Sequence, residues 1–79
     1  MPTVLLLKGL RFFFYSNEGA EPAHIHVMKG SAEGKIWLEP EVQVAYLHRF
    51  NKNEEKDIWE AVITNLDYFK QKWNEYFSK

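Results

Sequence analysis

Six apolar residues near the C-terminus constrain this chain most. Ile58, Val62, Leu66, Phe69, Trp73 and Phe77 recur at steps of three and four. That spacing draws one stripe along an amphipathic helix, which the sequence predicts over residues 54–76. Asn51 or Asn53 can cap its start, and Asn51-x-x-Glu54 has the spacing of a capping box. Glu54, Glu55 and Asp57 crowd the first turn, where negative charge suits the helix dipole. A stripe this apolar needs a partner layer, and the rest of the chain must supply it.

The preceding residues read as strands. Residues 3–7 form a continuous apolar run, residues 11–16 are dense in aromatics, and residues 24–29 and 33–39 follow after turn chemistry. Lys8-Gly9, the stretch 17–22 and Gly30-Ser31 are the turns, and Pro40 ends the fourth strand. Connections this short make neighbours antiparallel. The expected fold is therefore α+β: an antiparallel meander of about four strands with one long C-terminal helix packed on one face. Residues 42–50 alternate weakly and fit either a fifth strand or a short helical turn.

With 79 residues there is room for a single domain. A core this small rarely supplies more than about 3–5 kcal/mol of net stability. The chain has no cysteine, which excludes disulfides and thiolate zinc sites and fits a reducing compartment. Packing must do the stabilising, and the 16% aromatic content suits that task. Each large ring can bury on the order of 150–250 Å². Trp59, Trp73 and the other helix aromatics are accordingly expected in the core. A net charge of −1 argues against tight non-specific nucleic-acid binding. No apolar run is long enough for a membrane span. Val4-Leu5-Leu6-Leu7 lacks the flanks of a signal peptide, so the expected address is the cytoplasm.

Alternation sorts each strand into two faces. Phe12, Phe14, Ile25, Val27, Gly34, Ile36 and Leu38 belong under the helix. Arg11, Phe13, Tyr15, His24, His26, Met28, Glu33, Lys35 and Trp37 fall on the opposite face. That second face combines rings, imidazoles and cations. It can be a minor cluster closed by the 17–22 loop or by a second copy, or it can be a binding or catalytic surface.

His24 and His26 are two apart, so on a strand their rings share one side. Such a pair can divide general acid and base work, ligate a metal, or hold the 17–22 loop by hydrogen bonds. A metal would need a third ligand from Glu18, Glu21, Glu33 or His48, and no spacing selects one; no metal or cofactor is expected. Tyr15 and Lys35 can complete an acid–base surface. Phe13 and Trp37 can stack bases of single-stranded RNA, or anchor a protein partner together with Met28 and Arg11. There is no nucleophile constellation and no phosphate-cradling loop.

The chain resembles the domain of unknown function family 4160. The resemblance rests on Met1-Pro2-Thr3-Val4, Phe12-Phe13-Phe14-Tyr15-Ser16-Asn17-Glu18, Glu21-Pro22-x-His24-Ile25-His26-Val27, Lys35-Ile36-Trp37-Leu38 and Trp73-Asn74-Glu75-Tyr76-Phe77. Near position 50, where the family often holds a Gly-Phe pair, this chain reads Arg49-Phe50. The resemblance implies a small bacterial protein, often encoded beside another small protein in a layout like that of toxin–antitoxin pairs. Three functions are compatible with it: a toxin-like enzyme acting on RNA through His24, His26, Tyr15 and Lys35; a non-enzymatic module binding the neighbour-encoded protein; and a homodimer that buries the aromatic face.

Overall fold

The protein is described by a computed structural model over residues 3–15 and 20–77. Its first half is shaped by two tight turns. Lys8 and Gly9 both take positive φ, 54° and 79°, the mirror-image turn whose twist suits a strand pair. Leu7 pairs with Leu10 across it, joining β1 (Thr3–Leu7) to β2 (Leu10–Phe13). Gly30, with φ 58°, and Ser31 join β3 (His24–Lys29) to β4 (Ala32–Trp37). The ambiguous stretch is a strand, β5 (Gln43–His48), antiparallel to β4.

The sheet thus has five strands in the order β1-β2-β3-β4-β5, every neighbour antiparallel, where about four were expected, with a fifth left open. A slip in register hides β5 from a reading by alternation. Lys35 pairs with Tyr46 but Ile36 pairs with Val44, so Ala45 bulges out and the alternation reverses. Two strands are also shorter than expected. The β2 ladder ends at Phe13, with Phe14 and Tyr15 beyond it and Ser16 outside the described residues. The β4 ladder ends at Trp37, and the Leu38 N–H turns to the Ala23 carbonyl at 2.8 Å.

The expected single helix is two, α1 (Lys52–Thr64) and α2 (Leu66–Phe77). Asn65 causes the break. Its backbone N–H and its side-chain Nδ2 both donate to the Ala61 carbonyl, at 3.0 and 2.9 Å. A side chain that competes for a helix carbonyl disturbs the ladder locally. The Phe69 N–H then donates to the Asn65 carbonyl at 2.9 Å and the helix resumes. The capping box is present in both directions. The Glu54 N–H donates to Asn51 Oδ1 at 2.8 Å, and the Asn51 N–H donates to Glu54 Oε1 at 3.0 Å.

Both helices cover one face of the sheet, the face predicted from alternation. Phe12, Phe14, Ile25, Val27, Ile36 and Leu38 are buried against Ile58, Ala61, Val62, Phe69 and Trp73. Fully burying an aliphatic or aromatic side chain of this kind contributes about 1.5–3 kcal/mol. Trp59 departs from expectation and is 43% exposed. It follows Ile58 by one residue, about 100° around the helix from the stripe. Tyr68 and Tyr76 also lie off the stripe and are exposed. Among the described residues, no helix is long and apolar enough to cross a membrane.

Candidate functional site

The face of the sheet turned away from the helices carries the residues singled out from sequence. The pairing register lays them in cross-strand rows. Phe13, His26, Lys35 and Tyr46 form one row, and His24 and Trp37 begin the next. Arg11, Met28, Glu33 and His48 form a third.

His26 is the hub. Its ring stacks on Phe13 at 5.6 Å and meets Tyr15 edge-on at 4.5 Å. The His24 ring stands edge-on to it at 5.1 Å. His24 in turn lies 5.3 Å from the Trp37 ring and 4.9 Å from the Trp73 ring of α2. Both imidazoles are buried, His24 at 0% and His26 at 5% exposure. His24 Nδ1 lies 2.9 Å from the Pro22 carbonyl oxygen. A carbonyl only accepts, so this nitrogen carries the proton and donates. Glu21 Oε1 stands 3.8 Å from the same nitrogen.

The cations are held by close neighbours. Lys35 Nζ lies 4.2 Å above the centre of the Trp37 ring and 3.0 Å from Glu21 Oε1. With its side chain only 14% exposed, Lys35 joins the tryptophan to the acid instead of projecting into solvent. The Arg11 guanidinium sits 5.0 Å from the Phe13 ring centre, and its Nε donates to Thr3 Oγ1 at 2.8 Å.

All eight sequence-predicted residues therefore gather on this side of the sheet, but at two depths. Phe13, His24 and His26 are buried; Arg11, Tyr15, Met28, Lys35 and Trp37 are half-buried around them. The arrangement holds rings and charges in place. The four suggested third metal ligands are scattered: Glu21 is near His24, Glu33 and His48 pair with each other in the third row, and Glu18 lies outside the described residues. Among the described residues no three His, Asp or Glu side chains form a metal-ligand group.

Two participants were not foreseen in their roles. Glu21 enters the sequence reading as a loop residue and a candidate metal donor, yet it joins Lys35 to the start of β3; its place three residues before His24 was the available signal. Trp73 was read as core alone, and nothing in the sequence links it to His24. A separate cleft of about 420 Å³ opens away from this cluster, between β1 and α2, lined by Thr3, Val4, Phe14, Tyr68, Lys72 and Glu75.

No curated protein and no solved structure matches the chain. A family model described as a domain of unknown function, DUF4160, matches residues 9–74, a span that includes β2 through β5, both histidines and most of the helical stripe. The chain belongs to the DUF4160 family.

Proposed function

We propose that the protein is a non-enzymatic protein-binding module of the bacterial cytoplasm. Its docking surface is the outer face of the sheet, and its partner is the small neighbour-encoded protein of a toxin–antitoxin-type pair. One observation carries this reading: His24 and His26 are buried among rings, with His24 bonded to the Pro22 carbonyl. A general acid or base must reach the proton it transfers, within hydrogen-bond distance or through one water. These imidazoles instead support the platform beneath Tyr15, Trp37, Arg11 and Met28. Aromatic rings and arginine at the centre of a docking surface are the residue types that most often dominate protein binding. Charge favours protein over RNA as the partner. The chain carries a net charge of −1, and Lys35 is already matched by Glu21, whereas RNA binding draws on unmatched Lys and Arg at phosphates.

Expression without the neighbouring gene tests this directly. The module predicts normal growth and intact RNA, and co-elution with the neighbour-encoded protein when the two are mixed. Growth arrest with RNA loss, abolished by substituting His24 and His26 in a folded variant, would replace it with the ribonuclease reading.

A further inference from the structure

We infer that a second copy of this chain pairs with β1, edge to edge and antiparallel, about a two-fold axis at Leu6. This goes beyond the proposed function: it uses the edge of the sheet and leaves the outer face of both copies open.

The argument starts from the hairpin. β1 is the first strand of the sheet, and among the described residues only β2 pairs with it. In an antiparallel ladder, pairs that exchange hydrogen bonds alternate with pairs that do not. Leu7 and Leu10 flank the two-residue turn and so exchange bonds, and Leu5 and Phe12 are the next such pair. Leu6, between them, directs its N–H and C=O away from β2. Leu6 is 69% exposed, and Leu7 37%.

Sheet edges are commonly blunted by charge, proline, a bulge or a covering element. From Leu5 to Leu7 β1 has none of these; its one irregularity lies at Val4, whose carbonyl accepts from the Tyr68 hydroxyl at 3.1 Å. The opposite edge is different. β5 is bulged at Ala45 and presents Gln43 and His48.

The register selects the occupant. Centring the pairing on Leu6 lets the two Leu6 residues exchange both backbone bonds, the reciprocity that a two-fold interface requires. Leu5 then faces the other copy's Leu7, and Val4 faces its Lys8. Leucines oppose leucines at the centre, and no like charges oppose each other. Each Lys8, with its side chain 63% exposed, arrives at the end of β1 where Glu75, 54% exposed, lines the cleft beside α2. Lys72 lines the same cleft and already lies 3.5 Å from Glu75, and Lys8 lies 3.6 Å from Asp57 of its own chain, so the pairing rests on the apolar register and not on charge.

The chain has no cysteine, so an engineered one reports cleanly. Residues that exchange ladder bonds have Cα atoms about 5.5 Å apart, inside the disulfide range of about 4.4–6.8 Å. Leu6→Cys should form an intermolecular disulfide under mild oxidation, while Val44→Cys on the β5 edge should not. By sedimentation at about 100 μM the wild type should be a dimer. Leu6→Lys, which sets two ammonium groups against each other, should be a monomer. A monomeric wild type at that concentration overturns the inference. So does equal cross-linking of the two cysteine variants, or a Leu6→Lys protein that remains dimeric. If Leu6→Lys fails to fold, the cysteine pair decides the matter alone.

Discussion

The ring of His24 lies 4.9 Å from the ring of Trp73. One belongs to the outer row of the sheet and the other to the helix on its far side, so this contact ties the two layers together where β3 begins. With 0% exposure and Nδ1 donating to the Pro22 carbonyl, His24 stabilises the fold on which the proposed docking surface rests.

His24→Ala should therefore cost about 2–4 kcal/mol of stability, from the cavity and the Pro22 carbonyl left unpaired. His24→Asn, whose amide can still donate to that carbonyl, should recover part of the loss. Urea unfolding of the three proteins measures the difference, and equal stability would remove the structural role.

Gly34 marks a close approach of β5 to β4. A Cβ there would lie 2.5 Å from Leu47 Cδ2 and 2.9 Å from the Tyr46 carbonyl oxygen. The leucine end can shift but the β5 backbone resists, so Gly34→Ala should destabilise by about 1–3 kcal/mol. A midpoint equal to the wild type would show that β5 packs less closely on β4.

Acid should weaken the start of α1. The Asn51 N–H, and then the Lys29 ammonium at 3.0 Å, hold the Glu54 carboxyl below the usual carboxylate range. A carboxylate depressed in the folded state adds stability that is fully present above its unfolded pKa and is lost as pH falls through the folded one. Thermal melts between about pH 6 and about pH 3 should show Glu54→Gln less acid-sensitive than the wild type. Asn51→Ala, which removes the cap, should cost about 1 kcal/mol.

Much of this fold is legible in the sequence, for physical reasons that differ by element. Phe12, Phe14, Ile25, Val27, Ile36 and Leu38 are assigned correctly because a strand's period of two leaves one choice once the helix stripe claims a face. Asn51 and Glu54 are legible because a capping box is local. β5 is obscured because the bulge at Ala45 reverses the alternation in mid-strand. The break at Asn65 is obscured because Leu66 continues the stripe from Val62 at the regular step of four. Gathering the outer-face candidates needs only strand parity. The burial of His24 and His26, and the junctions His24–Trp73 and Lys35–Glu21, depend on how loop, sheet and helix meet, which no local pattern encodes.

The affinity of the neighbour-encoded protein, measured by calorimetry against the wild type, Trp37→Ala and His24→Asn, tests the central claim most directly. The account predicts a complex that Trp37→Ala weakens by about 30-fold or more, as an anchor of about 2 kcal/mol would, and that His24→Asn leaves nearly unchanged once its folding is verified. A complex insensitive to Trp37→Ala, or the absence of any complex alongside histidine-dependent loss of RNA, would contradict it.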